Sequence, residues 1–196
     1  MAASSASVSQ STDFKLKRPK RGPQLSYNVF SKQMINRNIS LPIGSIGQNL
    51  KDVLSQRIAE IYEGKCQIEG YIKPGTCNII TYSSGVIKGE HIMFSIVFEC
   101  MVCMPVEGMM MSCVAKQITK AGIRAEINED PSPVVVFIAR DHHHTNKSFS
   151  KIKENDTIVV KVIGQRFELN DKYISVIAEL SEDPQAKKKI KVSIMD

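Results

Sequence analysis

No run in the 196-residue chain approaches the roughly 18 consecutive apolar residues that a membrane-spanning helix needs. The N-terminus has no apolar segment of the signal-peptide kind, so secretion is not expected. Cysteine is sparse and unpatterned. Five residues, an odd number at irregular spacing, argue against a disulfide framework and for free thiols in a reducing, intracellular compartment. Catalytic signatures are also missing: there is no serine elbow, paired-cysteine redox motif or HExxH stretch, and the carboxylates are scattered. No catalytic residue and no cofactor is therefore expected. Cys100 and Cys103 have the two-residue spacing of zinc ligands, but both fall in a strand-like stretch where positions three apart point to opposite faces. Cys66, Cys77 and Cys113 stand alone, and His142-His143-His144 reads as an exposed polar loop, so no metal site is expected.

Little net charge remains once the +6 is located. Residues 1–24 hold Lys15, Lys17, Arg18, Lys20 and Arg21 against Asp13, and residues 185–196 hold Lys187, Lys188, Lys189 and Lys191 against Asp196. Between these basic tails the body is close to neutral, which suits a local patch better than a polyanion clamp. Lys15 to Arg21 (KLKRPKR) fits a nuclear-import signal or a nucleic-acid contact, and equally a solvated basic tail.

What the chain does have is alternation, with 42% hydrophobic residues to fill a core. Phe94, Ile96, Phe98, Cys100, Val102 and Met104 take one face of a long strand, and Ser95, Val97, Glu99, Met101 and Cys103 the other. Pro105 ends the ladder and Gly108 supplies a corner, which reads as a domain junction. Upstream, Tyr27, Val29, Phe30, Ile39 and Leu41 predict an opening strand with a turn through Asn36-Arg37-Asn38. Ser45 and Gln48 have capping-box spacing, and Ile46, Leu50, Val53, Leu54, Ile58 and Ile61 follow at helical spacing, so a helix is expected over 46–62. Gly44-Ser45-Ile46-Gly47 lacks the lysine of a phosphate loop and reads as a turn. Strands are expected at 66–72 and 77–82, and Gly85, Lys88 and Gly89 mark loops. Downstream, strands at 109–118, 123–127, 134–138, 157–167 and 173–180 suit a five-stranded Greek-key barrel, the OB-fold. The expected fold class is α+β. A disordered basic tail (1–24) precedes a small α+β domain (25–105), an all-β OB-fold barrel (106–182) and a basic C-terminal tail (183–196).

The order of these parts resembles the larger subunit of the stalk heterodimer of multi-subunit DNA-directed RNA polymerases, the seventh-subunit family. The residues that carry the resemblance are the helix ending before Gly64; Gly85-Val86-Ile87 leading to Phe94; the corner Pro105-Val106-Glu107-Gly108; Lys120-Ala121-Gly122-Ile123; and Phe137-Ile138-Ala139-Arg140. Lys161-Val162-Ile163-Gly164 and Ile177-Ala178 complete it, so that it covers about 27–182. It implies a non-catalytic subunit with a tip domain on the polymerase core, a smaller partner subunit along the junction, and a barrel facing nascent single-stranded RNA. A nuclear enzyme or that of a large DNA virus would both suit it.

The loops Tyr71–Cys77 and Ser83–His91 are both candidates for the core-facing tip. Arg124, Phe137, Arg140, Lys161, Arg166 and Tyr173 are the candidates for RNA contact, because they lie on or beside barrel strands. Arg124 stands where the fold often has an aromatic, and Phe137 has the competing reading of a core residue. Met101, Met104, Met109, Met110 and Met111 read as core or as an adaptable partner surface. The alternative is a free-standing OB-fold RNA-binding protein of RNA metabolism or translation, with an unrelated N-terminal appendage.

Overall fold

Alternation in residues 94–102 sets the architecture of the N-terminal half. In the computed structural model, which describes residues 28–143 and 149–181, this half holds β1 (Phe30–Pro42), α1 (Leu50–Tyr62), β2 (Cys66–Gln67), β3 (Gly70–Ile72), β4 (Asn78–Tyr82), β5 (Val86–Lys88) and β6 (His91–Cys103). The basic cluster Lys15 to Arg21, the C-terminal tail and His144 lie outside the described residues. β6 pairs antiparallel with β1 along its whole length, and β5, β4 and β3 pair with β6 in turn. Phe94, Ile96, Phe98, Cys100 and Val102 all bury on one face, against Leu54 and Ile58 of α1. Tyr62 stacks on Phe98 with ring centroids 5.7 Å apart, and Gly64 takes φ +70 where the helix gives way to β2.

Four local expectations are corrected. Asn36-Arg37-Asn38 makes no turn; β1 runs straight through it, paired with Val97, Ile96 and Ser95. Asn36 faces outward and accepts a hydrogen bond from the Ser95 hydroxyl at 3.2 Å. Arg37 is tied to both Glu69 carboxylate oxygens at 2.7 Å. The Ser45–Gln48 capping box does not form either. Ser45 ends a 3₁₀ turn (Ile43–Ser45), and α1 starts later, where Asn49 O accepts from the Asp52 and Val53 N–H groups. Residues 66–72 form a hairpin rather than one strand. Residues 86–88, expected as loop, form β5, because a turn at Gly89 (φ +61) folds them back onto His91–Met93.

The second half holds β7 (Met110–Ile118), β8 (Gly122–Glu126), β9 (Val134–Ala139), β10 (Thr157–Arg166) and β11 (Ile174–Leu180). They close in the order β7-β8-β9-β11-β10 and back to β7, with β9–β11 the one parallel pair of the five. That connectivity is compatible with the OB-fold. Met111, Cys113, Ala115, Ile123, Ala125, Val136, Ile138, Val160, Val176 and Ala178 fill its interior. Bulges fall between Ala115 and Gln117 and between Val162 and Gly164, switching the outward-facing parity there.

The two halves share one apolar core. Val29, Phe30, Cys66, Tyr71 and Cys103 bury in the same cluster as the barrel interior. Backbone hydrogen bonds cross the seam: the Cys66 N–H donates to Asp171 O at 2.8 Å, and the Asn170 N–H donates to Cys66 O at 2.9 Å. Lys73 pairs with Glu129 at 2.7 Å and lies 4.8 Å from the Phe30 ring centroid. Gly70 has φ +124, and a Cβ there would sit 2.4 Å from Cys103 O, so the hairpin packs on β6 as only glycine allows. Burial pushes the Cys66 thiol up to about 11 and the Cys103 and Cys113 thiols to about 12.

The methionines divide. Met111 is fully buried, and Met101, Met104, Met109 and Met110 are half-buried. His143 is buried, contrary to the exposed loop expected. Its Nε2 accepts from the Leu180 N–H at 2.8 Å, so Nδ1 donates to Ala139 O at 2.9 Å, and the ring stacks on Phe149.

Candidate nucleic-acid interface

Strand register assembles the surface. Gln117, Arg124, Phe137, Ile177 and Gly164 form one row across β7, β8, β9, β11 and β10. Ile123 and Ala125 point inward, so Arg124 points outward; Phe137 does the same between Val136 and Ile138. Phe137 is 40% exposed, which overturns its reading as core. Its ring leans over Gly122, where a Cβ would meet ring Cζ at 3.1 Å. Ile177 is 52% exposed beside it.

The next row holds Val114, Glu126, Val135, Ser175 and Arg166, with Tyr173 exposed just before β11. On the other side Lys161 stands opposite Glu179. Arg140 leaves the end of β9; its guanidinium donates to Thr119 O at 3.2 Å and lies 5.5 Å from the Phe149 ring centroid. Arg124 and Phe137 are thus side by side, Lys161, Arg166 and Tyr173 flank them, and Arg140 is tied to the β7–β8 turn.

Three of the candidate cations sit in ion pairs. Arg124 pairs with Glu126 at 3.1 Å, Lys161 with Glu179 at 3.1 Å, and Arg166 with Glu168 at 3.4 Å. Five of the six side chains are substantially exposed and Glu126 is half-buried, so each pair is worth roughly 0–1 kcal/mol and exchanges readily for another anion. The face combines an open aromatic–aliphatic platform with nearly balanced charge. Such a surface favours stacking over dense phosphate neutralisation. Sequence reading missed Ile177 and the three pairing carboxylates. The sign of Ile177 was visible, as an apolar residue on the Ser175–Glu179 face of an alternating strand.

Among the described residues, no group of three or more His, Cys, Asp or Glu side chains is placed to hold a metal ion. Cys100 and Cys103 bury in different clusters, one on the helix side and one on the barrel side. No described helix is long and apolar enough to cross a membrane.

At the far end of β6, Val86 and Ile87 of the β5 hairpin are 61% and 71% exposed, and Ile43 nearby is 49% exposed. This end is separated from the barrel seam at Cys103 by a 13-residue strand, about 40 Å of extended chain. The Tyr71–Cys77 loop lies at the opposite end, against the barrel.

No family model matches the chain. Similarity to known proteins is nonetheless present over most of its length. It is 22% identical over 171 residues to "DNA-directed RNA polymerase II subunit RPB7" of Glycine max, covering 79% of this chain and 94% of that one. It is 23% identical over 154 residues to "DNA-directed RNA polymerase II subunit 7" of Arabidopsis thaliana, covering 70% and 85%. It is also 23% identical over 167 residues to "Putative DNA-directed RNA polymerase subunit L376" of Acanthamoeba polyphaga mimivirus, covering 77% and 81%. By sequence, the chain is a distant relative of the seventh-subunit (RPB7) family of DNA-directed RNA polymerases.

Proposed function

We propose that the chain is a non-catalytic subunit of a DNA-directed RNA polymerase, forming the stalk with a smaller partner subunit. In this reading residues up to about 105 make the tip domain and the barrel from 106 onward faces the transcript. The β5 hairpin, with Val86, Ile87 and neighbouring Ile43, docks on the polymerase core, because it combines the exposed apolar surface with the greatest distance from the barrel. The tip role therefore goes to the Ser83–His91 segment. The observation that carries the RNA assignment is the row Arg124–Phe137–Ile177, on which a base of nascent single-stranded RNA can stack, with Lys161, Arg166 and Tyr173 alongside. The protein would work wherever its polymerase does, in the nucleus or, given the mimivirus relative, in a viral factory.

A free-standing OB-fold protein with an unrelated appendage is less well supported. Phe30, Tyr71 and Cys103 complete the barrel's own core, so the N-terminal half is part of the barrel's packing. Affinity purification of the tagged chain from its native cells at moderate salt tests the proposal. Recovery of the two large polymerase subunits and one small partner is expected; recovery of ribosomal or messenger-RNA proteins without them would refute it.

A further inference from the structure

Cys77 lies one residue before β4, whose pairing with β6 sets Asn78 opposite Glu99 and Ile79 opposite Phe98. Continued by one step, this register puts Cys77 opposite Cys100. Both side chains enter the same helix-side core, Cys100 at 2% exposure and Cys77 at its half-buried rim. The Cys77 N–H points away from β6, donating to Glu63 Oε1 at 3.0 Å. The Met101 N–H points toward this side, donating to Thr76 Oγ1 at 3.2 Å, so the Cys100 N–H points to β1. Cys77 and Cys100 are therefore a non-hydrogen-bonded cross-strand pair, the kind whose Cα atoms approach to about 4.5 Å. A disulfide spans about 4.4–6.8 Å between Cα atoms.

The contact registers chemically as well. A hydrogen bond from the Cys77 thiol lowers the Cys100 thiol, while the same contact raises that of Cys77. The other three thiols have no such neighbour arrangement: Cys66 and Cys103 are separated by β3, and Cys113 is alone in the barrel.

We infer that Cys77 and Cys100 form a reversible dithiol–disulfide site, opened to reagents at Cys77 and resolved by Cys100. With a low-molecular-weight disulfide as oxidant, the Cys77 thiol passes its proton along the hydrogen bond to Cys100 as its half-exposed sulfur attacks one sulfur and expels one thiolate, leaving a mixed disulfide. The Cys100 sulfur then attacks the Cys77 sulfur and expels the second thiolate. Two protein thiols lose two electrons and two protons, and the small disulfide becomes two small thiols. The new bond would fix the Lys73–Cys77 connection to the central strand. That connection carries the Lys73–Glu129 link to the barrel, so oxidation would stiffen the seam.

The test treats the reduced, folded full chain with oxidised glutathione and reads the non-reduced digest by tandem mass spectrometry. The expected product is 2 Da lighter, with Cys77 joined to Cys100 and no retained glutathione. Cys77→Ser should abolish it, and Cys113→Ser should leave it unchanged. Because Cys100 substitution risks the core, the second measurement uses phenylarsine oxide, which bridges paired thiols. One equivalent should bind the wild-type chain and none the Cys77→Ser variant. A glutathione adduct that persists on Cys77, a cross-link between other cysteines, or arsenical binding unaffected by Cys77→Ser would overturn the inference.

Discussion

Phe137→Ala separates stacking from charge as the source of RNA affinity on the barrel. The ring is 40% exposed and rests on Gly122, between Arg124 and Ile177 in its row, so its outward face is open to a base. Removing an aromatic that stacks one base costs about 1–3 kcal/mol, or roughly 5- to 150-fold in Kd. Arg124 contributes less, because it must leave Glu126, 3.1 Å away, to meet a phosphate. Exposed pairs of this kind are worth about 0.2–1 kcal/mol, so Glu126→Gln should tighten binding by no more than about 5-fold. Arg124→Ala should weaken it by a similar factor. The assay is fluorescence anisotropy of a labelled single-stranded RNA between about 50 and 200 mM salt. Taking each variant as a ratio to wild type cancels the contribution of the basic tails. A Phe137→Ala protein that keeps its melting temperature and binds as tightly as wild type would refute the stacking argument. So would Glu126→Gln binding more weakly.

Gly70→Ala should lower the urea midpoint, since φ +124 disfavours any side chain and the new Cβ would meet Cys103 O. The backbone strain alone is about 1–3 kcal/mol, or roughly 0.5–1.5 M urea; an unchanged midpoint would mean the seam is loose. Leu54→Ala, at a fully buried position facing β6, should cost about 2–5 kcal/mol in the same assay. Burial holds the Cys103 and Cys113 thiols near 12 against an ordinary 9.0, so the folded chain keeps protons that the unfolded chain releases above pH 9. Their contribution is complete below pH 9 and is lost as pH rises towards 12, by about 1.4 kcal/mol per thiol per pH unit. Urea midpoints at pH 8 and pH 10 should show that loss, and Cys113→Val should make it smaller.

The strands were legible where alternation was strict. Residues 94–102 state their inward face in sequence, and the structure buries it, whereas Val134 to Ile138 is apolar throughout and only the barrel register sends Phe137 outward. Reading failed where a polar residue serves a distant partner. Asn36-Arg37-Asn38 looks like a turn until Glu69 of the β2–β3 turn and Ser95 of β6 are seen to satisfy it. Ser45 and Gln48 have cap spacing, yet Ser45 is taken up as the last residue of a 3₁₀ turn and the helix starts at Leu50. His143 in a histidine run gave no sign of burial, because its partners are backbone groups of Ala139 and Leu180. On the barrel, strand order was needed to put Arg124 beside Phe137 and to show that neighbouring carboxylates offset the basic candidates.

The most direct test is photo-crosslinking in the assembled polymerase, with a benzophenone amino acid replacing Phe137 in one protein and Ile87 in another. The expected result is a cross-link from position 137 to the nascent transcript in a stalled elongation complex, and from position 87 to a large core subunit. Transcript labelling from position 87 with none from 137, or incorporation into no polymerase at all, would contradict the assignment.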